Sequence, residues 1–328
     1  MAIIDKPNDL FNCVLYSGTG SEKTVAGINF SPNLTWLKSR SNGQPHMISD
    51  SVRGATKQLY PNTNSAETSY SQYIKSFNSD GFVLGTDSGI NQNGQNYVSW
   101  NWKESVSSGL DIVTWTGNGS NRTIAHNLNK VPKMIIIKDL SASTDWTIYH
   151  VGLGNTKRLV LNTTNGGEDD ASFFQDTTPT SSVFSVGSSS AVNLNGRSYI
   201  GYVYTNIDSY SQMGSYIGNN NSNGPFIHCG FKPAWILAKR TDASAGWVLF
   251  DNKRIGYNGS GNYWLDAQNA EVDQTDATGM FDQLSNGFKI RSSFGSRNGS
   301  GGLYVFTAFA ANPFVSSSGN GSIPVTAR

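Results

Sequence analysis

The 328-residue chain holds only five glutamates: Glu22, Glu67, Glu104, Glu168 and Glu271. A glycan-cleaving sandwich enzyme needs two carboxylates facing each other across a cleft, roughly 5–10 Å apart. Glu67 and Glu271 each follow an alanine at matching places in the first and last thirds of the chain. A recurring position serves a fold better than it serves a single active site. The histidines His46, His126, His150 and His228 lack the close spacing of a zinc pair. His150 stands where Asp50 and Asp251 stand elsewhere, which makes it a polar residue at a strand end. No Gly-x-Ser-x-Gly elbow, phosphate loop or Cys–His pairing occurs. The chain reads as a non-enzyme, with no catalytic residue and no cofactor. Glu168-Asp169-Asp170 and Asp273-Gln274-Thr275-Asp276 carry oxygen donors suited to calcium, and solvated loops explain them equally well.

The aromatic residues divide by position. Trp36, Trp235, Phe82 and Phe288 recur in register and belong to a core. Tyr60, Tyr70, Tyr73, Tyr210 and Tyr257 do not recur and stand in polar surroundings. Flat aromatic faces beside amide and carboxylate groups grip sugar rings, so these five are the candidate surface-binding residues.

The elements that must position them repeat. An apolar residue, a proline, an apolar run and a lysine appear as Phe30–Lys38, Leu128–Lys138 and Phe231–Lys239. Pro32, Pro132 and Pro233 lie 100 and 101 residues apart, and the lysine follows each by six. Proline fixes φ and has no N–H, so it belongs at the start of a strand. The run behind it reads as a strand buried on both faces. A polar turn and a second apolar run follow (Met47–Asp50, Trp146–His150, Trp247–Asp251), which predicts an antiparallel hairpin. Tyr16, Trp115 and Tyr216 open each unit ahead of a glycine- or asparagine-rich turn. Tyr97, Tyr199 and Tyr304 begin its closing strand. The chain is therefore expected to be all-β: three tandem antiparallel β-sandwich repeats of about 100 residues. Their bounds are 1–105, 106–208 and 209–315, followed by a low-complexity flexible tail over 316–328. Helices should be rare, with one weak candidate at Asn64–Glu67 and its echo at Asn269–Glu271. The expected local departure is an insertion from Gly256 to Asn262 in the third unit.

Charged residues make up 14% of the chain, against about 25% in an average globular protein, and the net charge is +1. That balance lacks the basic footprint of a nucleic-acid binder and the polybasic patch of a membrane anchor. No apolar stretch approaches the ~18 residues of a membrane span. The N-terminus lacks a signal-peptide layout, which places synthesis in a cytosol. Cys13 and Cys229 sit at non-equivalent places and read as buried free thiols.

Several stretches together resemble a family of repeated β-domain virion proteins (tail fibre, knob or capsid-fibre type) of tailed phages of marine bacteria such as cyanobacteria. They are Asp50–Lys57, Thr123–Leu128, Phe231–Trp235, Asn312-Pro313-Phe314 and the closing Thr326-Ala327-Arg328. The resemblance spans Leu10 to Arg328. It implies a structural protein located on the virion and made in the host cytoplasm, whose partners are other virion proteins. It supplies no catalytic residues. Uncovered sheet edges and unit faces add the expectation of a homo-oligomer, with a trimer favoured. The alternative is an adhesin that recognises host surface carbohydrate through loops at one end of a sandwich.

Overall fold

The computed structural model describes residues 4, 6–254, 258, 262–276 and 280–313. In the first unit, Phe11–Ser17 pairs with Asn96–Trp102, which pairs with Leu34–Ser39, which pairs with Met47–Asp50. The same order (opening, closing, proline and partner strand) occurs twice more. It runs Leu110–Thr116, Ser198–Tyr204, Met134–Asp139, Thr147–His150, then Ser211–Ile217, Leu303–Pro313, Phe231–Arg240, Trp247–Asp251. All these pairings are antiparallel. Each large sheet faces a smaller one built around Gly81–Leu84, Val183–Val186 or Gly287–Ile290. The fold is thus all-β and sandwich-like.

Register is locked by the opening aromatics. Tyr16, Trp115 and Tyr216 sit directly opposite Tyr97, Tyr199 and Tyr304. Their rings stack at 5.1, 5.6 and 4.8 Å. A one-residue slip would separate every pair and turn the core face outward.

The proline strands are buried along their whole length in the first two units. Side chains alternate between two cores. Leu37 faces its own small sheet with Tyr16, Phe82 and Leu84. Leu34 and Trp36 face the other way, into a core shared with Met134 and Ile136 of the second unit and Trp235 and Leu237 of the third. Trp235 is 2% exposed and packs its ring against Trp36, Trp102, Phe11 and Phe309. The largest apolar core of the molecule therefore belongs to no single unit. In the third unit the private core, with Phe250, Phe281 and Phe288, runs into the shared one.

Local departures have physical reasons. Pro32 and Pro132 precede their strands as expected, whereas Pro233 lies inside Phe231–Arg240, at a register irregularity. A bulge accommodates the missing donor there. Residues 64–67 and 269–271 are not helical. The helices are single turns at Ser88–Asn91, Ala171–Phe174, Ser190–Asn193 and Gly295–Asn298. Most of the insertion from Gly256 to Asn262 and all of the tail 316–328 lie outside the described residues.

Candidate functional site

The lysine that closes each proline strand is at most 1% exposed, and its ammonium reaches into a neighbouring unit. Lys38 Nζ donates to Ala270 O of the third unit at 3.2 Å. Lys138 Nζ donates to Asn64 O of the first at 3.0 Å, and Lys239 Nζ to Thr164 O of the second at 2.8 Å. Burial disfavours the charged form and pulls each of the three down to about 8.

The ring nitrogens ten residues on repeat the pattern. Trp146 Nε1–H donates to Tyr60 O at 3.0 Å and Trp247 Nε1–H to Val160 O at 2.8 Å, while His46 Nε2 lies 3.2 Å from Asp266 O. Backbone follows suit: the N–H groups of Glu67, Gly167 and Asp273 donate to the carbonyls of Leu140, Thr241 and Arg40. Every contact runs from one unit to the next in the same cyclic direction, so the three units close into a ring.

The third contact at each seam comes from the closing strand. Trp100 Nε1 donates to Asp251 Oδ2 at 2.9 Å and Tyr202 Oη to Asp50 Oδ2 at 2.8 Å. Thr307 Oγ1 lies 3.4 Å from His150 Nε2, which is also 3.1 Å from Phe306 O. Two seams carry charge. Asp50 pairs with Arg53 at 2.6 Å, and Arg53 with Glu67 at 3.1 Å. Asp251 pairs with Arg254 at 2.5 Å, Arg254 with Asp273 at 2.8 Å, and Asp273 with Arg40 at 2.6 Å. Burial alone would raise the Asp251 carboxyl; the Arg254 guanidinium and its hydrogen bonds outweigh that and hold it below the usual range. The seam between the second and third units is neutral: His150 is fully buried there, and burial pushes it down to about 4.

These networks account for the carboxylates singled out as possible metal or catalytic groups. Glu67 corresponds to Asp273 rather than to Glu271, since each binds the seam arginine of its own unit. Glu168 pairs with Arg158 at 2.7 Å, and Asp170 caps the Ser172 N–H at 2.8 Å. Among the described residues, no three His, Cys, Asp or Glu side chains gather as a metal site.

Three of the five candidate tyrosines converge in the first unit. Tyr60 Oη lies 2.8 Å from Tyr73 Oη, and the Tyr70 and Tyr73 rings meet edge-to-face at 5.0 Å. Tyr70 is 46% exposed. Burial and the Tyr60 hydroxyl both raise the Tyr73 phenol, so the pair stays protonated as a donor–acceptor couple beside an open ring. Tyr210 is not a surface residue: it is fully buried in the shared core, at 5.8 Å from the Phe309 ring. Its position just ahead of an opening strand, beneath the closing strand, explains the burial. Tyr257 lies outside the described residues.

One repeated device escaped the reading of the sequence. Asn91, Asn193 and Asn298 are fully buried, and each pins the turn after an opening strand. Their Oδ1 atoms accept the N–H of Thr19, Asn118 and Asn219 at 2.9, 3.1 and 2.9 Å. Their Nδ2 groups donate to the carbonyls of Ser21, Ser120 and Asn221 at 2.6, 2.6 and 2.8 Å. The signal was available: each asparagine stands six residues ahead of a closing-strand tyrosine.

The sequence profile of DUF7483, a domain of unknown function, matches residues 6–313. The chain belongs to that family. Comparison with curated proteins gives no match.

Proposed function

We propose that this member of the DUF7483 family is a structural protein of a tailed-phage particle, made in the host cytoplasm and working by protein–protein assembly. The observation that supports this reading best is the closed ring. Buried ionisable and ring N–H groups are spent on joining units, and the most buried charges, Arg254 and Asp251, hold two units together. Such an investment suits a rigid building block. The resemblance of Asp50–Lys57, Thr123–Leu128 and Phe231–Trp235 to repeated virion domains points the same way. The test is protein mass spectrometry on density-purified particles of the phage that encodes it. The chain should be present in fixed copy number and stay with the particle through washing. Its absence from intact particles would overturn the proposal.

A second reading is favoured by the Tyr60, Tyr70 and Tyr73 cluster: recognition of a host surface glycan, with a sugar ring on Tyr70 and its hydroxyls on the Tyr60–Tyr73 pair. Labelled protein should then bind host cells. Periodate oxidation of the cells, or Tyr70→Ala in the protein, should abolish that binding. Binding indifferent to both would remove this reading.

A further inference from the structure

The Asn-pinned turns are the same object built three times, on the outside of a ring with cyclic seams. Gly18, Gly117 and Gly218 pass so close to a facing carbonyl that a Cβ would sit 2.2–2.3 Å from it. Gly20, Gly119 and Asn220 hold the left-handed conformation, with φ of 70°, 73° and 54°. Their N–H groups donate to the backbone carbonyls of Asn91, Asn193 and Asn298 at 2.6–2.7 Å. The backbone of each turn is thus fixed from beneath, while Ser21, Ser120 and Ser222 at its rim are exposed. A buried amide with all its hydrogen-bonding capacity committed to one exposed turn preorganises that turn, and preorganisation favours binding rather than folding.

We propose that these three turns are the contact points through which the ring seats on a threefold-symmetric protein partner in the particle, one chain meeting three copies; this rests on the virion reading above. The seams run in one cyclic direction, so equivalent turns occupy corresponding positions around the ring and stand on one rim. A partner with a threefold axis presents three identical surfaces in that arrangement. The rim is dominated by hydroxyl and amide groups (Thr19, Ser21, Asn118, Ser120, Asn219 and Asn221). The complementary surface is therefore polar and hydrogen-bonding rather than strongly charged. The ring also provides within one chain the three-part closure for which a homotrimer would need three chains. The free protein should therefore run as a single 35.5 kDa species.

The experiment adds purified full-length chain to particles of the encoding phage that lack it and measures binding and stoichiometry. It compares wild type with Ser21→Arg, Ser120→Arg, Ser222→Arg and the triple variant, each checked for an unchanged melting curve. A position that melts early is replaced by its Ser→Glu variant. One chain should bind per three partner copies. Each single variant should weaken binding by about tenfold, and the triple should lose about the product of the three. Wild-type binding with an unaffected triple variant overturns the proposal and leaves the virion reading standing. So does a loss confined to one turn, or a free protein that is itself a trimer. Wild type that does not bind the particles at all overturns both.

Discussion

Trp100 and Asp251 stand 151 residues apart in the chain, yet the indole N–H of one donates to the carboxylate of the other at 2.9 Å. This contact lies at the seam between the first and third units. The other two seams are tethered by short covalent joins near residues 103–110 and 205–211; this one is closed by packing and polar contacts alone. It also has the densest polar network: Trp100, Asp251, Arg254, Asp273 and Arg40 connect in series. The Arg254 guanidinium lies 5.5 Å from the Trp100 ring centroid as well. Where the backbone does not hold the ring shut, fixed charge geometry does.

Arg254→Met should therefore be costly. It strands Asp251 and Asp273 in a buried seam, and breaking one partner of such a network typically costs about 3–5 kcal/mol. Adding Asp251→Asn should return part of the loss, because the unpaired carboxylate is then gone. Denaturant midpoints of the two single variants and the double measure this. A double variant as unstable as the sum of the singles would show that the groups are uncoupled.

His150 gives the neutral seam a pH dependence of known sign. Burial lowers it from 6.5 to about 4 in the folded chain. The unfolded chain therefore binds more protons between those two values, and stability falls as the pH drops through that window. The full effect is about 3 kcal/mol, at 1.36 kcal/mol per pH unit. His150→Asn should flatten the pH 4–6.5 slope of unfolding free energy relative to wild type. Parallel slopes for the two proteins would place the acid sensitivity elsewhere.

Much of the fold was legible because its signals are local and periodic. Pro32, Pro132 and Pro233 mark three equivalent strands, and alternation such as Phe82 with Leu84 marks a packed face. What was not legible depends on relations between units. Lys38, Lys138 and Lys239 look like surface residues closing a strand, and only the ring buries them. Glu67 was matched to Glu271 on its neighbouring alanine, whereas the seam arginines match it to Asp273. Tyr210 stands among Ser and Asp residues in sequence and under Phe309 in space. Polar neighbours along the chain say little about a residue at the root of a strand whose sheet packs on two others.

Trp235→Ala should destabilise the whole ring rather than one unit. The side chain belongs to the core shared by all three large sheets, so its removal leaves a cavity bordered by Trp36, Trp102 and Phe309. The expected cost is ~3–5 kcal/mol. Unfolding followed by tryptophan fluorescence and by far-ultraviolet dichroism should shift together, as a single transition. A variant in which the third unit melts alone, with the others unchanged, would mean that the shared core does not couple them.

Cys13 and Cys229 allow the seam to be watched directly. Both thiols are buried, at 3% and 8% exposure. Burial, reinforced for Cys13 by the Asp251 charge, raises the first; burial pushes the second up to about 12. A thiol-specific reagent needs thiolate and access, so the native chain should react far more slowly than the unfolded one. The two thiols report on different places. Cys13 lies beside Asp251 at the untethered seam, while Cys229 sits behind Ile227 at the small sheet of the third unit. Arg254→Met loosens the first place and not the second. It should accelerate labelling of Cys13 more than that of Cys229, read by mass spectrometry of the modified peptides. If the seam opens only when the whole molecule unfolds, the two rates will rise by the same factor, and the ring is then one cooperative body with no weak side.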